Sequence, residues 1–305
     1  MEAGHKIDWN CKASVRARPR RILSDEDSRE QSYFPAELAP IAQHPLIINL
    51  GLSNEFLIQS LYLHLSFTMK LEQEVVNSVV YQIAHRKIDR IDLPQDMIIE
   101  AYQIYVDEAY HAYFCADFQS QLEATTGCKA INIYPASLGK FLEIQSSYSK
   151  PIQQLLEVFF VFVSETLISG ILTEIPRDKR VKTSVRQLIS DHAIDETRHH
   201  LYFSRLFPYL WSALNRQERI LIGNLLPQFI QIFVRPDYPA LQTILDHFNL
   251  KPQEIELVIK ESYPLLQVAT GIRKAAKTSL AVLERNKVFE EPQIFKAFQS
   301  SGLLQ

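Results

Sequence analysis

The sequence predicts an all-α protein, an antiparallel four-helix bundle with further helices C-terminal to it. Three observations carry that prediction. Apolar residues recur at helical spacing through long stretches, and no stretch alternates as a strand does. Only eight glycines stand against fifteen prolines, and the prolines fall mostly between the periodic stretches, where they end helices. No repeat of solenoid length and no low-complexity tract interrupts the pattern.

Residues 1–32 are basic, polar and aperiodic, which predicts a loose N-terminal arm. "YFPAELAPIAQHPLI" follows as an extended, proline-rich lead-in. The helical body begins near Ser53, a residue suited to an N-cap. Helices are predicted over 54–84, 95–124, 152–173, 178–207, 216–233, 241–248, 253–262 and 265–286. The first four are long enough to build the bundle. No linker separates them from the rest, so residues 33–305 read as one helical domain.

The third helix needs a separate argument. "LLEVFFVFVSETLISGILTEI" (155–175) is long enough to span a membrane. Its Glu157, Glu165 and Glu174 argue against that, because each charge near a bilayer centre costs a few kcal/mol. A helix buried in a soluble bundle is the better reading, with no membrane partner, and it leaves Glu165 to be explained.

The chain has 305 residues, of which 47% are hydrophobic and 22% charged, enough to bury a proper core. A formal net charge of -3 supplies no basic field for a phosphate backbone, which excludes nucleic acid as a first reading. The cysteines Cys11, Cys115 and Cys128 are odd in number and form no C-x-x-C. The N-terminus lacks the apolar core of a secretory signal. Free thiols in a reducing cytoplasm are therefore expected.

The chemistry concentrates in "DHAIDETRHHLYF" (191–203). His192, Glu196 and His199 lie at i, i+4 and i+7, on one helical face with Ile189, Ala193 and Phe203. His200 points about 100° away. "VDEAYHAYF" places Glu108 and His111 at i, i+3 on the second helix, so both helices carry D-E-x-x-H, with Asp107 and Asp195 before the glutamates. Two inward-facing Glu-x-x-His pairs are the donor pattern of dinuclear carboxylate sites in helical bundles, which also require a glutamate from each remaining helix. On the first helix Glu72 falls among Leu65, Thr68, Val76 and Val79, whereas Glu74, about 200° away, lies on a mixed polar face. On the third, Glu165 shares an apolar face with Val158, Val161, Phe162 and Leu172, and Glu174 and Glu157 do not.

Glu72, Glu108, His111, Glu165, His192, Glu196 and His199 are thus the candidate metal ligands, through which catalysis would run. Four carboxylates converging in a core would repel one another and be driven to protonate unless cations were present. Two divalent metals cancel that charge, and mixed carboxylate and imidazole donors suit iron or manganese. Asp107 and Asp195 are either solvated or hydrogen-bonded to the far nitrogens of ligand histidines. Tyr102, Tyr105, Tyr110 and Tyr113 read as packing.

These residues resemble the p-aminobenzoate N-oxygenase family of non-haem diiron arylamine oxygenases. The resemblance runs through "FPAELAPIAQHPLI", "LEQEVVNSVVYQIAHR", "VDEAYHAYF", "ETLISGILTEI" and "HAIDETRHH", over about residues 34–207, and the histidine at 192 separates this family from the commoner set of four carboxylates and two histidines. It implies a ferritin-like core, two iron ions, dioxygen as co-substrate and an external electron donor. It also implies a small-molecule amine substrate of secondary metabolism, an arylamine, oxidised toward hydroxylamine, nitroso or nitro products, and a homodimer. Some members hold a substrate carboxylate with a late-helix arginine. Here Arg273, Lys274 and Lys277 are available for that role or form a solvated basic face. Three other readings stay open: C–H hydroxylation by the same oxidant, a ferritin-like metal oxidation or carrier protein, and a non-catalytic helical interaction protein.

Overall fold

The structure, a computed structural model, describes residues 8–23 and 31–304. The chain opens with two short turns, α1 (Trp9–Lys12) and α2 (Ser14–Ala17), then a 3-10 turn (Pro40–Gln43) and α3 (Pro45–Asn49). The first long helix runs as α4 (Ser53–Leu71), a π-helical turn (Glu72–Val76) and α5 (Asn77–Ala84). It is followed by α6 (Gln95–Thr126), α7 (Ala136–Ser146), α8 (Lys150–Leu172) and α9 (Thr183–Ala213). The remainder is α10 (Arg216–Val234), α11 (Tyr238–His247), α12 (Pro252–Ser262), α13 (Leu265–Arg285) and α14 (Pro292–Ser300). An isolated bridge between Ser32 and Val181 is the only β feature among the described residues.

Local chemistry explains where these helices start and stop. Asn215 and Glu218 form a reciprocal capping box at the head of α10. α6 ends at Gly127, whose φ of 69° is the left-handed C-terminal stop that glycine adopts without strain. α3 and α8 each begin with a proline in their first turn, where the missing N–H removes no helical bond.

The four long helices pair as α4–α5 against α6 and α8 against α9, and the pairs close on each other through α6 with α9 and α5 with α8. α10 and α13 cover the outer side of α8, and α14 packs on α10. Phe159, Phe160 and Phe162 of α8 are wholly buried, each worth about 1.5–3 kcal/mol of transfer free energy. α8 is long and apolar enough to cross a membrane, but it is covered on its outer side as well as inside the bundle, the environment of a core helix.

Several expectations need correction. The lead-in at 33–47 contains helical turns, because Pro40 and Pro45 start them. Ser53 is the first helical residue and not the cap, and its hydroxyl donates to the Ala42 carbonyl. α7 and α14 were not predicted at all.

The arm also departs from the expectation of looseness. Residues 1–7 and 24–30 lie outside the described residues, but 8–23 cross the bundle. Arg20 pairs with Asp117 of α6 at 2.7 Å and Arg21 with Asp191 of α9 at 2.6 Å. At Arg18, Arg20 and Arg21 the arm's basic character thus serves as ion pairs to the two helices carrying D-E-x-x-H.

Candidate metal centre

All seven candidate ligands converge in the bundle core, and none is more than 2% exposed. They form two groups whose donor atoms lie within 4.8 Å of one another: Glu72, His111, His192 and Glu196, and Glu108, Glu165, Glu196 and His199. Glu196 belongs to both. Each of the four long helices contributes, as the helical period requires when one face of each turns inward.

The imidazoles meet the carboxylates at short range. His192 Nε2 lies 3.0 Å from Glu72 Oε1 and 3.1 Å from Glu196 Oε1. His111 turns Nδ1 inward, 3.0 Å from Glu108 Oε2. His199 does the same, 3.0 Å from Glu108 Oε1 and 3.2 Å from Glu196 Oε1. The outward nitrogens are held by the aspartates of the opposite motif: His111 Nε2 by Asp195 at 3.0 Å, and His199 Nε2 by Asp107 at 3.3 Å. Arg198 Nη2 spans both aspartates, 2.9 Å from Asp107 and 2.6 Å from Asp195.

Charge is unresolved at the centre itself. Both oxygens of Glu72, Glu108 Oε1, Glu165 Oε2, Glu196 Oε2 and His199 Nδ1 are buried without a hydrogen bond. An orphaned carboxylate oxygen in a dry core costs a kcal/mol or more, about 1–3 for a neutral group and higher when charged. Burial, with Glu196 and Glu108 close by, drives the Glu165 carboxyl well above the usual range, and burial with Glu108 raises Glu72. For His111 and His199, burial alone would lower the imidazole, but Glu72 beside the first and Glu108 and Glu196 beside the second raise both well above 6.5. The Glu196 carboxyl resists the same burial and drops well below its usual value because His199 and His192 flank it. Protons and bound cations would serve these buried carboxylates alike. Oxygen-rich donors with three imidazoles fit two divalent transition metals.

Other sequence expectations fall elsewhere. Glu74 faces out, bonded to Lys70 and to the Tyr134 hydroxyl, and Glu174 meets Lys274. Arg273 and Lys277 do not reach the centre. They occupy the exposed side of α13, opposite the buried Ile272, Ala276 and Ser279, and Arg273 donates to Thr270 of its own helix. Tyr102, Tyr105 and Tyr113 are 45%, 40% and 60% exposed and pack on the rings of His85, Tyr81 and Tyr110 at the surface, not in the core. An open cleft of about 1270 Å³ between α6, α9 and the end of α13 reaches Asp107, Arg198 and His199 and is walled by Trp9, Ile104 and Tyr202. Trp9 and Ser14, which contact the two aspartates, were missed because neither belongs to a periodic segment.

A helical bundle that gathers four buried glutamates and three buried histidines from its four long helices has the architecture of a dimetal-carboxylate protein. Residues 7–266 match the family described as P-aminobenzoate N-oxygenase AurF, and the chain belongs to that family of ferritin-like, non-haem diiron N-oxygenases. The match extends past the resembling stretch at both ends, taking in the arm and helices α10 to α12. A comparison with curated proteins found no match.

Proposed function

We propose that the chain N-oxygenates a small amine, an arylamine, toward hydroxylamine, nitroso or nitro product, using dioxygen and electrons from an external donor. Glu72, Glu108, His111, Glu165, His192, Glu196 and His199 would hold two irons, with Glu196 common to both sites. The carrying observation is the set of orphaned, buried oxygens on Glu72, Glu108, Glu165 and Glu196. Imidazole nitrogens stand 3.0 Å from Glu72 Oε1 and Glu108 Oε1 without making a regular hydrogen bond, and all four residues belong to clusters of metal-donor size.

Bound there, the irons would supply activation of dioxygen, the chemistry the family implies. The chain's own contribution is positional and electrostatic. Asp107 and Asp195 keep Nε2 of His199 and His111 protonated, which leaves Nδ1 as the donor lone pair. Phe114 packs against His111 and His192, and with the buried Phe203 and Ile189 of α9 it gives the core an apolar setting that would keep water from the centre. The free cysteines support a reducing, cytoplasmic setting, and the packing of α13 and α14 on α8 and α10 supports a single domain over 33–305.

The test is anaerobic loading with iron(II), then one turnover with isotopically labelled dioxygen and a panel of arylamines, followed by mass spectrometry. Two irons per chain and label on nitrogen are expected. Label on carbon instead would identify a C–H hydroxylase. Iron oxidation with no labelled organic product from any amine would identify a metal-handling protein. Manganese binds the same donors, so parallel loading with manganese(II) decides which metal supports turnover.

A further inference from the structure

We propose that the N-terminal arm sets the two metal sites separately, Trp9 acting through Asp107 on His199 and Ser14 acting through Asp195 on His111. The inference rests on the dimetal reading above and adds positioning residues to it.

The geometry runs outward from each imidazole. Asp107 Oδ2 meets His199 Nε2 and Arg198 Nη2, while the Trp9 indole N–H lies 2.9 Å from Oδ1 and 3.0 Å from Oδ2. Among the described hydrogen bonds, Trp9 is the sole donor to Oδ1. Asp195 Oδ2 meets His111 Nε2, and the Ser14 backbone N–H approaches both of its oxygens at 3.2 Å, with the Ser14 hydroxyl donating to Oδ2 as well. Both aspartates are at most 1% exposed. A buried carboxylate held only by the imidazole and Arg198 would be free to turn about its last torsion and carry the ring with it. Further donors arriving from the arm, a separate segment of chain, remove that freedom. Metal ligands depend on such outer partners for about 10–100-fold of their affinity.

The arm is built to deliver these donors. Arg20 grips Asp117 on α6 and Arg21 grips Asp191 on α9, while the Leu23 N–H donates to Gln121 Oε1 at 2.8 Å. The two contacts fall on different metal groups, because His199 belongs to the set with Glu165 and His111 to the set with Glu72. The arm therefore addresses the sites one by one, and Arg198, bonded to both aspartates, is the only described link between them at this level.

The experiment uses the full chain as wild type, Trp9→Phe, Ser14→Ala and Ser14→Thr, loaded anaerobically with iron(II). Mössbauer spectra and the rate of iron release to a chelator are recorded, and His199→Asn and His111→Asn assign each spectral component to its site. Trp9→Phe should alter the His199-side component and speed release of about one iron tenfold. Ser14→Ala should alter the His111-side component by a smaller factor, since its backbone N–H remains, and Ser14→Thr should restore the wild-type spectrum. Both variants leaving the two components and both rates within about twofold of wild type, or both acting on the same component, overturns the inference while the dimetal reading stands. A wild-type chain that takes up no iron overturns both. A purely structural arm would lower thermal stability without separating the two components.

Discussion

At the scale of single residues, the site is a contest between burial and charge. Glu196 and Glu74 carry the same side chain, yet one is 1% exposed between His192 and His199 and the other lies on the surface beside Lys70. Surface ion pairs of that kind contribute about 0–1 kcal/mol. Glu196→Ala should therefore abolish binding of both irons, because its carboxylate belongs to both donor groups. Glu74→Ala should keep two irons per chain and shift stability by under about 1 kcal/mol. Iron quantification after gel filtration, with thermal melts of the two variants, separates these outcomes, and iron retained by Glu196→Ala would show that the shared carboxylate is dispensable. The ligand set was legible in the sequence because its signal is local: i, i+3, i+4 and i+7 spacing on a helix states which side chains share a face. Trp9 and Ser14 were not, since their partners Asp107 and Asp195 lie 98 and 181 residues away and no periodicity links them.

At the scale of elements, the π turn at Glu72–Val76 is the main departure from the helices the sequence predicts. A continuous α-helix over 54–84 accounts for the same apolar stripe, and one extra residue accommodated in a wider turn leaves no compositional mark. Such turns cost local hydrogen-bond regularity and recur at functional sites. Here the Asn77 N–H reaches back five residues to the Glu72 carbonyl, so the helix before Glu72 and the helix after Val76 are offset by one residue, about 100°. Across that offset Glu72 joins the cluster and Val76, Val79 and Val80 stay buried. Deleting the exposed Gln73 should restore a regular helix and turn one flank outward. The expected result is loss of iron from the Glu72 group with a lowered melting temperature, and unchanged iron binding would remove the functional meaning of the turn. α7 and α14 escaped the sequence reading for a different reason. Each buries only two side chains, Leu138 and Phe141 in one and Ile294 and Phe298 in the other. α12 buries as few but is rich in Glu and Lys, strong helix formers, whereas α7 carries Gly139 in its interior and α14 two phenylalanines in nine residues.

At the scale of the whole molecule, metal and protons compete for the same core, and this gives stability a pH dependence that reverses on loading. In the metal-free protein Glu72 and Glu165 are raised above the ordinary carboxyl value, His111 and His199 well above 6.5, and His192 to about 9. A group whose folded value is raised binds more protons folded than unfolded, so its contribution is complete below the unfolded value and is lost as pH rises through the folded one. Glu196 and Asp195 are lowered and act in the opposite sense, but only near and below the ordinary carboxyl range of about 4. His64, lowered to about 4 by burial, and His200, also lowered by burial, oppose this loss up to about pH 6.5, so it is between about pH 6.5 and 9 that the metal-free chain should lose stability as pH rises. The loaded chain should gain it over the lower part of that range, because iron must displace those protons to bind and its affinity climbs as they become easier to remove. Iron at about a hundredfold over its dissociation constant adds about 2.7 kcal/mol to folding. Thermal melts of chelator-treated and iron-loaded protein from pH 6.5 to 8.5, run anaerobically, should thus give slopes of opposite sign and a gap that widens with pH. Parallel slopes would mean that the buried carboxylates and imidazoles do not exchange protons for metal, and the charge argument for a dimetal core would fail with them.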